Sequence, residues 1–277
     1  MQVARSIVEM KRLRRECAGS VGLVPTMGYL HKGHLELARR ARSENAVAVA
    51  TIFVNPTQFG PKEDFKSYPR DLDRDLAMLD KAGAGIVFVP EDGEMYPAGY
   101  ETWLEVRGIT AKLEGKSRPT HFQGVTTVCN KLFNITEPHR AYFGQKDAQQ
   151  AIVIQKMVAD LNMNLEIVVC PTIRESDGLA MSSRNTYLTK EERPSAAVLY
   201  KSLCMAKDMY GKGERDAAKM RQAMHSLITG EPAAKIDYIS IADAASLDEV
   251  DIIGGRVLVS LAVRLGKPRL IDNIFLG

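Results

Sequence analysis

Short apolar runs alternate with amphipathic helical patterns over much of this chain, and that alternation constrains the fold more than any other feature. The apolar runs at residues 21–24, 46–54 and 86–89 predict strands that are buried on both faces. Between them, helical spacing continues to about residue 45 and returns over residues 71–82. Strands that alternate with helices predict a parallel, doubly wound α/β sheet with right-handed crossovers.

The two ends of the chain add further elements to this pattern. A helix is expected over residues 3–16, and the α/β pattern continues to a strand at residues 165–169. Beyond Pro171, two helical stretches precede three strand-like runs, which predicts a smaller α+β domain. The stretches are residues 189–210 and 213–229, and the runs are residues 236–241, 257–263 and 270–275. We therefore expect one domain over residues 1–173 and a second over residues 174–277.

The composition excludes several classes of function. Charged residues make up 26% of the 277 residues, and the net charge of +3 is too small to indicate a nucleic-acid-binding protein. The basic stretch at residues 11–15 has the spacing of a solvated helix face. Four cysteines without a Cys-x-x-Cys pair predict a reducing, cytoplasmic environment. Neither a secretion signal nor an apolar segment of membrane-spanning length is evident, so we expect no membrane insertion.

The stretch at residues 25–34, Pro-Thr-Met-Gly-Tyr-Leu-His-Lys-Gly-His, joins the first buried strand to a helix. At such a turn, free backbone N–H groups and the positive end of the helix dipole favour a bound phosphate. His31 and His34 share one face of the first helical turn, where they can stabilise charge on phosphate oxygens. Gly28 and Gly33 allow the backbone to bend and to approach a ligand closely. The two histidines lack an evident third ligand, so zinc is the weaker interpretation.

Three further segments carry polar side chains where α/β sheets bind ligands. Asn55 and Gln58 follow the second buried strand, and their amides can both donate to and accept from a hydroxy acid. Residues 144–150, Gly-Gln-Lys-Asp-Ala-Gln-Gln, form the next strand-to-helix turn, where Lys146 is a point charge for phosphate. Residues 181–185, Met-Ser-Ser-Arg-Asn, offer two hydroxyls and a guanidinium to triphosphate oxygens. Each segment alone is as readily an Asn-Pro turn or a solvated loop, but together they indicate ATP-dependent adenylylation of a small acid.

These four segments carry a family resemblance. The chain has neither a P-loop nor a dinucleotide-binding fingerprint. Its His-x-Gly-His pattern resembles the signature of the adenylyl-transferring superfamily, which includes class I aminoacyl-tRNA synthetases and small-molecule nucleotidyltransferases. The four segments, with Tyr-Pro-Arg at residues 68–70 and His-Phe-Gln-Gly-Val at residues 121–125, closely resemble the pantothenate synthetase family over most of residues 20–190. The resemblance implies a ligase of coenzyme A precursor biosynthesis that uses ATP to join pantoate to β-alanine.

The resemblance also implies roles for individual residues. His34 would be the proton donor and His31 its companion at the phosphates, with Lys146 and Arg184 as further catalytic groups. The ATP site as a whole would comprise Met27, Gly28, His31, Gly33, His34, Gly144, Gln145, Lys146, Asp147, Ile173, Met181, Ser182, Ser183 and Arg184.

Substrate contacts and assembly are implied in the same way. Gln58 and Gln150 would hold pantoate, with Asn55 in support. Mg²⁺ would be bound through the triphosphate, with no metal ligands from the protein. The family fold is a Rossmann-like domain with a smaller C-terminal lid, usually in a homodimer.

The chain departs from the family pattern at one position, and its residues also allow two other functions. Thr120 stands where the family usually has glycine, and a positive φ there would strain a threonine.

A cytidylyl- or adenylyltransferase that stops after nucleotide transfer would share the His-x-Gly-His turn but has less use for the paired Gln58 and Gln150. A catalytically silent nucleotide- or RNA-binding module is disfavoured by the near-neutral charge and by the complete set of phosphate-facing residues.

Overall fold

The computed structural model describes residues 1–61 and 63–277, which divide into two compact units. The first unit comprises Met1–Gln145 and Gln149–Pro171, and the second comprises Lys146–Ala148 and Thr172–Gly277. The domain boundary predicted between residues 173 and 174 stays a prediction, as does the role of the C-terminal domain as a lid.

Six parallel strands form the sheet of the first unit within the described residues. They are β1 (Gln2–Ala4), β2 (Val21–Thr26), β3 (Val47–Ile52), β4 (Ile86–Phe88), β5 (Arg140–Gly144) and β6 (Glu166–Cys170), in the spatial order β1-β4-β3-β2-β5-β6. The helices of this part of the chain are α1 (Ile7–Glu16), α2 (Lys32–Glu44), α3 (Leu72–Lys81), α4 (Asp92–Met95), α5 (Glu114–Ser117), α6 (His121–Thr136) and α7 (Ala148–Asp160). The predicted parallel α/β sheet is confirmed.

Successive side chains of each strand point to opposite faces of the sheet, so one layer of hydrophobic core lies on each face. On β2, Val21 and Leu23 pack with apolar residues of α1, α6 and α7. Val24, which points to the opposite face, packs with Leu37 and Ala41 of α2. Because helices cover both faces, every central strand is buried, and this explains why the strands appear in the sequence as continuous apolar runs.

The first strand corrects the prediction of a helix over residues 3–16. Residues Gln2–Ala4 pair in parallel with β4, and α1 begins only at Ile7. Ser6 determines that start, because its side chain accepts the N–H of Glu9 at 3.2 Å as an N-cap. Pairing with a distant strand stabilises the residues before this cap more than one further helical turn would.

The second unit contains α8 (Glu192–Ser195), α9 (Val198–Gly211) and α10 (Ala217–Thr229), followed by β7 (Ala234–Asp243), β8 (Val257–Leu265) and β9 (Arg269–Leu276). The strands form an antiparallel sheet in the order β7-β8-β9, with α9 and α10 packed on its apolar face. The predicted α+β arrangement is confirmed, but the single helix over residues 189–210 is wrong. It is divided at Ala196 and Ala197, whose N–H groups donate to carbonyls three residues back and so tighten the turn.

Residues 1–61 and 63–277 contain neither a helix that could span a membrane nor a cluster of side chains that could hold a metal ion. None of the helices in these residues has both the length and the apolar character that crossing a bilayer requires. The same residues bring no three His, Cys, Asp or Glu side chains into an arrangement that could hold a metal ion.

Candidate active site

The turn between β2 and α2 is fixed by side chains of the sheet and of α3. Gly28 has a φ of +79° and Tyr29 a φ of +49°, so two consecutive residues adopt the left-handed conformation and reverse the chain. The buried carboxylate of Asp75 accepts the N–H of Tyr29 at 2.5 Å and that of Leu30 at 2.8 Å. The hydroxyl of Thr26 accepts the N–H of Gly28 at 3.2 Å.

These hydrogen bonds correct the expectation that the turn offers free backbone N–H groups to a phosphate. The N–H groups of Gly28, Tyr29 and Leu30 are already used within the protein. Gly33 lies inside α2, so the bend depends on Gly28 and Tyr29 instead. Burial raises the pKa of Asp75, and the N–H groups of Leu30 and Tyr29 oppose that shift. A phosphate bound at this turn would therefore be recognised by side chains and by the helix dipole.

His31 and His34 cap the start of α2 reciprocally. His31 Nδ1 accepts the N–H of Gly33 at 3.2 Å, and His34 Nδ1 accepts the N–H of His31 at 3.3 Å. The two rings stack, with their centroids 4.0 Å apart. A ring nitrogen that accepts a hydrogen bond carries no proton, so each neutral ring carries its proton on Nε2. The Nε2 atoms of both half-buried rings are thus donors, which is the polarity that a phosphate oxygen requires.

Asn55 and Gln58 lie on the turn that follows β3, and Gln58 contacts Met27 of the turn between β2 and α2. They are 1% and 8% exposed, and Asn55 Nδ2 donates to Gln58 Oε1 at 3.1 Å. Gln58 Nε2 in turn lies 2.9 Å from Met27 Sδ, to which it donates. The structure therefore brings three of the predicted site residues together at the carboxyl ends of β2 and β3.

A half-buried ion-pair network, which the sequence did not identify as part of the site, holds the backbone of Gln58. Arg118 donates to both carboxylate oxygens of Glu63 at 2.6 Å, and its Nη1 lies 3.0 Å from His121 Nε2. A guanidinium can only donate, so His121 Nε2 accepts and the ring carries its proton on Nδ1. That Nδ1 donates to the carbonyl of Gln58 at 2.8 Å. The only signal in the sequence was the family resemblance at residues 121–125.

Thr120, the departure from the family pattern, causes no strain. It has a φ of −97° and a ψ of −5° at the start of α6. These are ordinary values for a residue with a side chain, so glycine is not required there. The loop therefore accepts threonine while His121 keeps its contact with Gln58.

The environment of His121 predicts a loss of stability at mildly acidic pH. Burial, reinforced by the charge of Arg118, lowers its pKa from 6.5 to about 4. Between these values the unfolded chain binds more protons than the folded chain, so stability rises with pH and falls as pH falls. At about 1.36 kcal/mol per unit of pKa shift, we expect acidification from pH 7 to pH 5 to remove about 2 kcal/mol.

Urea unfolding at the two pH values measures this effect. The matched variant is His121→Asn, whose amide retains a donor for the Gln58 carbonyl but does not titrate. It should lose about 2 kcal/mol less than the wild-type protein over the same pH interval. Equal losses in the two proteins would show that His121 is not the responsible group.

In the third segment, residues 144–150, the two adjacent glutamines Gln149 and Gln150 have different surroundings. Gly144 ends β5, Gln145 begins a short 3-10 turn, and Gln150 lies half-buried in the first turn of α7. Gln149 is buried, and its amide is engaged by three backbone groups, those of Glu114, Ile109 and Lys112. Gln149 is thus structural, whereas the substrate role of Gln150 stays a prediction.

In the second unit, β9 anchors Lys146. Asn273 Nδ2 donates to the carbonyl of Lys146 at 2.9 Å, and the ammonium of Lys146 lies 3.4 Å from Asp147 Oδ1. Next to Asn273, the buried carboxylate of Asp272 accepts two hydrogen bonds from Arg174, at 2.5 and 3.0 Å. No pattern in the sequence indicated either β9 residue, because their partners lie about a hundred or more positions away.

The Met-Ser-Ser-Arg-Asn segment leads into a 3-10 turn over Ser183–Tyr187. Ser182 is the N-cap of this turn, and its hydroxyl accepts the N–H of Arg184 at 3.3 Å. The N–H of Met181 donates to the carbonyl of Ile173 at 2.9 Å, which ties together two of the predicted ATP-site residues. The segment is therefore hydrogen-bonded within the second unit, and its role toward ATP stays a prediction.

Comparison with known proteins identifies the family. A sequence profile described as pantoate-beta-alanine ligase matches residues 2–275. The pantothenate synthetase of Acetivibrio thermocellus is 57% identical over 277 residues, which cover 99% of this chain and 99% of that protein. The pantothenate synthetase of Herpetosiphon aurantiacus is 57% identical over 275 residues, again covering 99% of each.

Solved structures extend the similarity to the whole fold. The crystal structure of pantothenate synthetase from Thermus thermophilus has a TM-score of 0.95 and 45% identity, and the match covers 99% of both chains. A pantoate-beta-alanine ligase from Francisella tularensis, complexed with beta-gamma ATP and beta-alanine, has a TM-score of 0.81 and 36% identity, covering 99% of this chain and 97% of that one. Sequence, fold and coverage agree, and the chain belongs to the pantoate-beta-alanine ligase family.

Proposed function

We propose that this chain condenses pantoate with β-alanine, using ATP and releasing AMP and pyrophosphate through a pantoyl adenylate. The observation that carries the proposal is the pair of reciprocally capping histidines, whose Nε2 donors lie on the turn that also contacts Gln58. Family membership supports the pantoate and β-alanine substrates. The beta-gamma ATP and beta-alanine in the complex of the Francisella tularensis ligase support the nucleotide and amine substrates.

In the first half-reaction, a carboxylate oxygen of pantoate attacks the α-phosphorus of ATP, and the bond to pyrophosphate breaks. His34, with His31 beside it, donates from Nε2 to phosphate oxygens as negative charge develops on them. We assign the triphosphate also to the ammonium of Lys146, the hydroxyl of Ser182 and the guanidinium of Arg184. The remaining nucleotide contacts are assigned to Met27, Gly28, Gly33, Gly144, Gln145, Asp147, Ile173, Met181 and Ser183.

In the second half-reaction, the neutral amine of β-alanine attacks the acyl carbon of the adenylate. The amine loses a proton to water as the amide forms, the bond between the acyl carbon and the anhydride oxygen breaks, and AMP departs with that oxygen. No covalent bond to the enzyme is needed, so the protein contributes positioning by Gln58, Gln150 and Asn55, together with electrostatic stabilisation. The C-terminal domain serves as the lid that keeps water from the mixed anhydride.

The Mg²⁺ ion and the homodimer are supported by the family resemblance, and the cytoplasmic location is supported by the cysteine usage. Mg²⁺ enters with ATP as a substrate complex, since this ion prefers phosphate oxygens and water to a cage of protein ligands. The active protein is a homodimer, which sedimentation equilibrium would measure. Its location is the cytoplasm.

Pyrophosphate exchange tests the proposed function. With Mg²⁺ and pantoate but without β-alanine, we expect labelled pyrophosphate to exchange into ATP, because adenylate formation is reversible. Adding β-alanine should then give AMP and pantothenate in equal amounts. A reaction without pantoate is the control and should show no exchange. Protein that binds ATP but gives neither exchange nor amide would instead support a nucleotidyltransferase with another acceptor.

A further inference from the structure

Tyr96, which follows α4, lies at the start of a chain of hydrogen bonds that leads to Gln58. Its ring is packed by Phe53, Tyr100 and Trp103, with centroid distances of 6.4, 5.1 and 6.1 Å. Its hydroxyl donates to Asn55 Oδ1 at 2.9 Å. Burial raises the pKa of Tyr96 to about 12, so the hydroxyl keeps its proton and remains a donor at neutral pH.

The surroundings of Asn55 permit one orientation of its amide. Oδ1 accepts from Tyr96 and from both the hydroxyl and the N–H of Thr57, at 3.0 and 3.4 Å. Nδ2 donates to the carbonyl of Gly124 and to Gln58 Oε1, both at 3.1 Å. A rotated amide would place its NH₂ against the donors and its oxygen against the Gly124 carbonyl, leaving buried groups unpaired.

The fixed amide of Asn55 determines which atom of the Gln58 side-chain amide, the oxygen or the nitrogen, faces the turn between β2 and α2. Because Gln58 Oε1 is held by Asn55, the NH₂ group of Gln58 points to Met27 Sδ. A thioether sulfur is a weak acceptor, so an oxygen of a substrate can replace it with a gain in hydrogen-bond strength. Gln58 therefore presents a donor to its ligand.

We propose that Tyr96 is a positioning residue: its hydroxyl, together with Thr57 and the Gly124 carbonyl, orients Asn55 and through it fixes Gln58 as a donor to a hydroxyl or carboxylate oxygen of the substrate. The identity of that substrate as pantoate rests on the proposed function, whereas the orientation of Gln58 does not. Tyr96 lies outside the sequence motifs, and the packing of its ring does not by itself indicate this role.

Side-chain amide NMR spectra without substrate test the orientation. Tyr96→Phe retains the ring and removes the hydroxyl, and Tyr100→Phe is the matched control because its ring packs against Tyr96. We expect the NH₂ resonances of Asn55 and Gln58, assigned with Asn55→Ser and Gln58→Ala, to shift in Tyr96→Phe and to remain in place in Tyr100→Phe. Unchanged resonances of Gln58 in Tyr96→Phe would overturn the proposal, whatever the reaction proves to be.

Kinetics then separate positioning from a general structural effect. Tyr96→Phe should raise the KM for pantoate about tenfold, while kcat and the KM for ATP change less than about threefold, since one hydrogen bond in substrate binding is misaligned. In a Gln58→Ala background, Tyr96→Phe should have almost no further effect, because it acts through Gln58. Additive effects of the two substitutions, or an equal loss for both substrates, would contradict the proposal. A shift of the Gln58 resonances in a protein without pantoate-dependent exchange would support the positioning role and refute the proposed function.

Discussion

Replacing His34 with alanine is expected to slow pantoyl adenylate formation about 10²–10³-fold, the range observed when one preorganised donor to a developing oxyanion is removed. The reason is that His34 Nε2 is fixed as a donor by the hydrogen bond that Nδ1 accepts from the His31 N–H. Pantoate binding should change little, since this donor acts on phosphate charge that develops during the reaction. Quenched-flow measurement of pyrophosphate release in a single turnover gives the rate, and calorimetry gives the pantoate affinity.

The same substitution also removes a cap from α2, so a second variant is needed to separate chemistry from structure. His34→Asn retains an oxygen that can accept the His31 N–H but lacks a group at the position of Nε2. We expect it to be as slow as His34→Ala and as stable as the wild-type protein. Wild-type rates in folded His34→Asn would refute the catalytic assignment of His34.

Gly124→Ala is expected to destabilise the protein and to weaken pantoate binding together. A Cβ at this position of α6 would lie 2.6 Å from the carbonyl carbon and oxygen of Thr57 and 2.7 Å from the Gln58 nitrogen. These are backbone atoms, so no side chain can rotate away and the turn or the helix must move. Overpacking of this kind typically costs about 1–3 kcal/mol and occasionally more. Because the displaced turn carries Asn55 and Gln58, we also expect the KM for pantoate to rise.

Gly93→Ala is the matched control, since Gly93 also lies in a helix and a Cβ there would meet nothing within 4 Å. It should leave the KM for pantoate unchanged and stabilise the protein by up to about 1 kcal/mol through helix propensity. Urea unfolding and steady-state kinetics on both variants measure the two effects. A Gly124→Ala protein as stable as Gly93→Ala would mean that α6 and the turn have room to separate.

The sequence predicted the central strands well because helices cover both faces of the sheet. Residues 46–54 are apolar at almost every position for this reason, and their β-branched side chains favour a strand over a buried helix. By contrast, β1 has only three residues, too few to show a period, and its pairing with β4 depends on contacts far along the chain. The spacing of apolar residues reports burial within a longer stretch of sequence, so it cannot identify a strand of three residues.

The candidate site shows the same division between local and distant causes. That Asn55 and Gln58 lie beside the first turn follows from the rule that parallel strands end at one edge of the sheet. The partners of the turn do not follow from it: Asp75 is 46 positions from Tyr29, and His121 is 63 positions from Gln58. Any acidic or imidazole side chain could in principle satisfy those backbone groups. Which one does is decided only when α3 and α6 pack.

The position of β1 also has a consequence for the order in which the chain folds during synthesis. Ala4 lies opposite Phe88, so this pairing waits until about eighty further residues have been made. At a synthesis rate of about 5–20 residues per second, the first strand remains unpaired for about 4–16 s. During that interval β2 and β3, which are neighbours in both sequence and space, can already associate. We therefore expect β1, although it precedes the other strands in the chain, to be added to the edge of a sheet whose centre can form without it.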